Sequence, residues 1–208
     1  MQIMAISTPR NSREEELLRK QHILRGRVFG GRLGWEVDVQ EGIEKDRFDQ
    51  LDPTYILAVQ GDRHVVGCAR LIPAAGPTMV RDVFSALLPD QTFHAHKGVI
   101  ESSRFCVDTQ SGVERGEAAI HAITLSMFAG IIEWSIEAGY SEIVTVTDLR
   151  FERILSRVGW PLCRLAPPKK IGVTTAVAGT LPADRSTFIR LRPPHYKSTI
   201  ATTRRHAA

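Results

Sequence analysis

The sequence predicts a single-domain α/β or α+β sandwich, a mixed sheet with helices on its faces. Strand-like runs in the first half are joined by tight turns, whereas the second half alternates strand with helix. The chain has 208 residues, enough for one substantial core, and shows no repeat, linker or low-complexity stretch that would divide it. The expected domain is residues 1–197, with 198–208 a disordered tail.

In chain order, Glu14 to Val28 carries Leu17, Leu18, Ile23, Leu24 and Val28 at near-helical spacing, with Ser12 as N-cap. Tyr55–Gln60 and His64–Ile72 are apolar runs around Gly61-Asp62-Arg63, the pattern of a hairpin. Pro73 to Thr78 reads as a loop, Val80–Leu88 as a short helix and Gly98–Val107 as a strand. Glu117–Ala138 is a long apolar helix ended by Gly139, because glycine readily takes the left-handed conformation that stops a helix. Ile143–Thr147 is a strand, Leu149–Val158 a helix closed by Gly159, and Gly172–Leu181 a strand.

Bulk properties narrow the function. The longest uncharged run, Ala118 to Ile132, is too short to span a bilayer. The first residues lack a basic start followed by an apolar region, so export is not expected, and Cys68, Cys106 and Cys163 read as reduced core thiols of a cytoplasmic protein. Charge is divided unevenly. Residues 1–148 carry 15 Lys/Arg and 21 Asp/Glu, a balance of −6, while residues 149–208 carry 12 Lys/Arg against Glu152 and Asp184, a balance of +10. Such asymmetry suits an acidic partner, whether nucleic acid, anionic membrane or acidic carrier protein; a solvated basic face is the plain alternative.

The densest chemistry lies between Arg25 and Asp49, where Arg25, Glu44, Asp46 and Asp49 are interleaved with Phe29, Trp35 and Phe48. Buried charge is costly unless paired, so Arg70, on a strand with Val66 and Cys68 on its own face by alternation, requires a carboxylate, and the segment offers three. Glu101 lies in a strand, a placement glutamate disfavours unless it faces water or a site. Strict alternation sets Glu101 and Arg104 on opposite faces, unless a bulge brings them together. Phe29 and Trp35 read either as core aromatics or, beside the carboxylates, as ring faces for a cationic ligand.

Several devices are absent: GxSxG, GxxxxGK[ST], HExxH and a GxGxxG dinucleotide loop. His94 and His96 lack neighbouring acidic or thiol ligands and read as loop histidines. No metal or cofactor is expected.

Together these residues resemble a family. R-x-x-V-F (Arg25 to Phe29), R-L-G-W (Arg32 to Trp35), G-x-E-x-D-x-x-D (Gly42 to Asp49), G-x-x-R-L-x-P (Gly67 to Pro73), P-T-M (Pro77 to Met79), Phe84, E-S-S-R-F-x-V (Glu101 to Val107) and ERILSRVGW (Glu152 to Trp160) are similar to the LuxI-type acyl-homoserine-lactone synthases. The order is kept from about Arg25 to about Leu181, with a flavour nearest to synthases of plant-associated rhizobia.

The resemblance implies a three-layer α-β-α sandwich like that of N-acetyltransferases. It also implies acylation of the amine of S-adenosylmethionine by an acyl chain on acyl carrier protein, then lactone closure with release of 5′-methylthioadenosine. Glu101 would be the general base. Arg104, Arg70, Asp46 and Asp49 would complete the catalytic set, and Arg25, Phe29, Trp35, Glu44, Asp46, Asp49 and Arg104 would form the adenosylmethionine pocket. Phe105, Met127, Thr145 and Thr147 would line the acyl slot, with Thr145 at the position where a hydroxyl favours a 3-oxo chain; two ordinary strand threonines are the plain reading. Arg150, Arg153, Arg157, Lys169 and Lys170, with Arg164 between, would dock the acidic carrier. Adenosylmethionine is then a substrate, and neither nucleic acid nor membrane is a partner. Two rivals are a coenzyme-A-dependent N-acetyltransferase, whose pyrophosphate loop Arg27–Arg32 matches poorly, and a basic nucleic-acid-binding module, which leaves the carboxylates unexplained.

Overall fold

The computed structural model describes residues 1–88, 93–110 and 117–200, with the side chains of Glu117 and Ala119 excepted. Strand β1 (Gln2–Ile6) leads into helix α1 (Ser12–Arg25). The N-cap is Asn11 rather than Ser12, its side chain accepting from the Glu14 amide. The helical path continues beyond the expected Val28 as a π-helical segment, Gly26–Arg32. A small hairpin, β2 (Val39–Gln40) and β3 (Ile43–Glu44), precedes a 3₁₀ turn, Arg47–Gln50. The predicted hairpin is β4 (Thr54–Gln60) and β5 (His64–Pro73), turned at Gly61 with φ 58°. The helix expected over Val80–Leu88 is two short pieces, α2 (Met79–Asp82) and a 3₁₀ turn, Ser85–Leu87.

The second half keeps the predicted alternation: β6 (Val99–Val107), α3 (Glu117–Glu137), β7 (Glu142–Asp148) and α4 (Leu149–Arg157). It adds two short strands, β8 (Cys163–Arg164) and β9 (Lys169–Ile171), before β10 (Thr174–Pro182) and α5 (Arg185–Leu191).

Eight strands form one mixed sheet in the order β1-β4-β5-β6-β7-β10-β8, with β9 also paired to β10. The first four are antiparallel neighbours, and β7 lies parallel to β6 after the crossover through α3. Ile100, Ile143, Met127, Phe128, Leu155 and Phe188 make one core on the α3, α4 and α5 side. Leu17, Leu24, Leu57, Cys68 and Cys106 pack under α1 on the other, beside a cluster of Val80, Val99 and Val144 under α2. The result is the expected three-layer sandwich.

Two features position the site. Parallel pairing of β6 and β7 covers only Val99 to Glu101 against Glu142 to Val144; beyond Glu101 the strands part. Opposite β5, the register shifts between Cys68 and Arg70, so that Arg104 and Phe105 together face Ala69. That bulge holds Arg104 at φ 54°, a left-handed conformation costly for a side chain as large as arginine.

Further sequence expectations fail: of the three cysteines read as core thiols, Cys68 and Cys106 are buried but Cys163, on the short strand β8, is exposed. Ser198 begins no disordered tail: it bridges Ile3 in parallel, the Thr199 amide donates to the Ile3 carbonyl at 3.0 Å, and Ile200 is buried. An edge strand offers unpaired backbone groups, and this segment takes them. Residues 201–208 lie outside the described residues. Val66 does not share a face with Cys68 and Arg70; it packs toward α3 while Cys68 packs toward α1, because the register also shifts at Ala58/Val59. Among the described residues, no helix is long and apolar enough to cross a membrane.

Candidate active site

Arg25 ends α1, Glu44 ends β3, Asp46 caps the 3₁₀ turn that carries Asp49, and Arg70 and Arg104 stand on β5 and β6. The fold brings all six together. Gly26 permits the approach: a Cβ there would lie 2.6 Å from the Gly42 carbonyl oxygen, so only glycine lets α1 close on the β2–β3 hairpin.

The six charges form a closed lattice of three arginines and three carboxylates. Arg25 grips Asp49 with both terminal nitrogens, at 2.8 and 2.9 Å, and donates from Nε to Glu44. Arg70 holds Asp46 at 2.5 and 3.0 Å, Asp49 at 2.8 Å and Ser103 Oγ at 3.2 Å. Arg104 completes the ring, with Nε 3.0 Å from Glu44 Oε1 and a terminal nitrogen 2.8 Å from Asp46 Oδ2. The bulge makes this possible, because it keeps Arg104 on the face of Ser103 and Glu101 while turning Phe105 to the opposite core.

Electrostatics follow from burial. Burial alone would raise the Asp49 carboxyl, but Arg25, then Arg70 and Tyr55, hold it well below the carboxylate range. Burial works against the Arg25 charge, and Asp49 and Glu44 more than offset it. Two residues the sequence reading missed brace this lattice. The Tyr55 hydroxyl donates to Asp49 Oδ1 at 2.7 Å. His22 Nδ1 donates to the Glu44 carbonyl at 2.9 Å, and burial, then Arg25, lowers its pKa to about 4, leaving it neutral. For His22 the signal was present: it and Arg25 interrupt the apolar stripe of α1, and buried polar groups so placed call for partners.

Because the carboxylates are taken by arginines, they do not form an open acidic cup for a cation. Of the six, Asp46 and Arg104 keep the most exposure, with side chains 19% and 11% accessible. Phe29 is buried, stacked on Trp35 at 5.2 Å on one side and under Arg104 at 5.5 Å. Trp35 is 37% exposed and therefore presents a ring face.

Glu101 stands apart from the lattice. It is 1% exposed; Oε2 accepts from the Val80 amide at 2.7 Å, while Oε1 has no hydrogen-bond partner among the described residues. Burial raises its pKa, against the pull of the Val80 and Met79 amides, Arg70 and Ser103. An unpartnered buried carboxylate oxygen held above its ordinary pKa, where two strands part, is suited to take a proton from a ligand.

On the α3 side of the divergence, Phe105 is half-buried against Phe128 and Phe151, at 5.2 and 4.9 Å, and Met127 is fully buried in the same core. Thr145 and Thr147 are half-buried on one face of β7, and the Thr145 hydroxyl donates to the Ser102 carbonyl at 2.8 Å. Arg150, Arg153 and Arg157 are exposed along α4, beside a groove of about 470 Å³ lined by Leu149, Glu152, Arg153, Ser156, Arg157, Leu162 and Arg164. Arg164 is neutralised by Glu152, and Lys169 donates to the Ala86 carbonyl at 2.5 Å; Lys170 is exposed. His96 faces Glu142 at 3.8 Å, and no group of three or more His, Cys, Asp or Glu suited to a metal occurs among the described residues.

The chain is similar to known proteins along most of its length. A family model described as autoinducer synthase matches residues 10–191. A probable acyl-homoserine-lactone synthase of Sinorhizobium fredii (strain NBRC 101917 / NGR234) is 63% identical over 203 residues, covering 98% of each chain. The crystal structure of the AHL synthase LasI superposes with a TM-score of 0.78 at 31% identity, covering 91% of this chain and 94% of that one. The structure of TofI in a ternary complex with an inhibitor and MTA has a TM-score of 0.76 at 27% identity, covering 92% and 96%.

Proposed function

Since this chain belongs to the autoinducer synthase family and is an acyl-homoserine-lactone synthase, we propose that it acylates the amine of S-adenosylmethionine from an acyl carrier protein thioester, with a 3-oxo medium-length chain. The observation that carries this reading is the orphaned Oε1 of buried Glu101 at the mouth between β6 and β7.

Glu101 removes the proton of the substrate ammonium, directly or through one water, and the freed amine attacks the thioester carbonyl. The tetrahedral intermediate collapses with loss of the carrier thiolate. The substrate carboxylate then attacks the methylene bonded to sulfur; the carbon–sulfur pair leaves with the thioether, giving lactone and 5′-methylthioadenosine. Both leaving groups arrive activated, so the residues need only orient, deprotonate and stabilise charge.

Asp46 and Arg104, the accessible edge of a neutral lattice, suit the ammonium and carboxylate ends of the amino acid, and the exposed face of Trp35 suits the sulfonium or adenine. The buried members, Arg25, Glu44, Asp49 and Arg70, hold that edge in place. Catalysis would therefore fall to Glu101 with Arg104 and Asp46. The acyl chain enters between Phe105 and β7. The Thr147 hydroxyl, on the same face of β7, donates to the 3-oxo group; Thr145 joins it only by releasing the Ser102 carbonyl. The exposed arginines of α4, with Lys170, suit an acidic carrier.

The test is a donor comparison on purified protein. The same 3-oxoacyl group is offered on acyl carrier protein and on coenzyme A, and kcat/KM is measured for each. A preference for the carrier of at least tenfold supports the reading; equal use, or preference for coenzyme A, contradicts it.

A further inference from the structure

Glu101 is buried on the same face of the sheet as Arg70 and within its field, yet the two are not paired. A buried carboxylate beside a guanidinium ordinarily forms an ion pair. A census of Arg70 explains the exception. An arginine has five N–H donors. Nε serves Ser103; Nη1 serves Asp46 and Asp49; Nη2 serves Asp46 at 3.0 Å and, with its remaining hydrogen, the Met79 sulfur at 3.0 Å. The same sulfur lies 3.6 Å from Nη1 of Arg104. Met79 opens α2 and is 6% exposed, directly before Val80, whose amide holds the other oxygen of Glu101.

We propose that Met79 is a positioning residue: its thioether occupies the guanidinium N–H groups that would otherwise turn to Glu101 Oε1, and so keeps the base unpaired. A thioether is a weak, neutral acceptor, enough to satisfy a buried donor without adding charge. Without it, a donor on a fully buried guanidinium would have Glu101 Oε1 as an orphaned acceptor on its own face, and an ion pair there would hold Glu101 ionised and weaken it as a base. The charges around Glu101 leave few alternatives. Arg70 faces it from β5 and Arg104 from its own strand, with Asp46 and Asp49 behind them. On α2, Arg81 and Asp82 are exposed and engaged with Gly76 and Arg47, while β7 and β10 offer Val144, Ala176 and Ala178.

The inference rests on the proposed base role, so its test reads the carboxyl itself, without substrate. Protein labelled with ¹³C at glutamate side-chain carboxyls is titrated by NMR, and the Glu101 signal is identified by its loss in Glu101→Gln. In the parent protein the midpoint lies above that of an exposed glutamate. In Met79→Leu, a swap of similar volume, it falls by about one pH unit or more, the scale of one new ion pair. Should Met79→Leu fail to fold, replacing all methionines with norleucine removes the sulfur while keeping the shape, and the same fall is expected. A midpoint unmoved by loss of the sulfur overturns the inference and leaves the base role to be judged by turnover.

Discussion

Arg104 and Glu44 lie 60 residues apart in sequence and meet through a 3.0 Å hydrogen bond, Nε to Oε1, on a carboxylate with no solvent exposure. Arg25 holds the other oxygen of Glu44, so that one side chain ties α1, the β2–β3 hairpin and the bulge of β6. Removing one member of a buried ion pair leaves the others uncompensated, at about 3–5 kcal/mol. Glu44→Gln is therefore expected to destabilise the fold by that amount in chemical denaturation. Asp46→Asn, at the accessible edge, should cost stability much less and instead raise KM for adenosylmethionine.

Glu101→Gln separates catalysis from folding. Burial raises the Glu101 pKa above its unfolded value, so at neutral pH its ionised form opposes folding; the neutral amide removes that penalty. The variant should make no lactone and melt no lower than the parent. In the parent, kcat should decline on acidification at a pH above that of an ordinary glutamate, since the base must be unprotonated.

His22 sets an acid limit on stability. Its folded pKa is about 4 and its unfolded value 6.5, so between these the unfolded state binds more protons and stability is lost as pH falls. The full effect, about 3 kcal/mol by linkage, is reached below pH 4. His22→Gln should flatten the dependence of denaturation midpoint on pH in that window; an unchanged slope would assign acid sensitivity to other groups.

Charge reversal at Arg153 and Lys170 should raise KM for acylated carrier protein about tenfold while leaving that for adenosylmethionine unchanged, because both side chains are exposed and belong to no part of the lattice. Equal effects on both substrates would remove this surface from docking.

Much of this was legible before any coordinates. Period and punctuation gave the hairpin around Gly61, the long helix ended at Gly139 and the strand–helix alternation after it. The short strands β8 and β9 were not legible, because two or three residues carry no period, and β1 is recognised only once β4 lies beside it. The charged cluster was visible as composition, and a bulge was one of the two readings open for Glu101 and Arg104; alternation along one strand could not choose between them, because a bulge is a register event between two strands. That Arg70 would find its carboxylates in the Arg25–Asp49 segment was legible, but that Arg25 and Arg104 share them was not. Met79 was quoted within a motif, yet only three-dimensional donor counting gives its sulfur a task.

Given S-adenosylmethionine and a 3-oxoacyl carrier protein, the purified protein should make N-(3-oxoacyl)-homoserine lactone and 5′-methylthioadenosine in equal amounts, read by mass spectrometry, with neither formed by Glu101→Gln. Consumption of the acyl donor with no lactone, or undiminished lactone from the Glu101→Gln protein, would overturn the assignment of Glu101 as the base of this reaction.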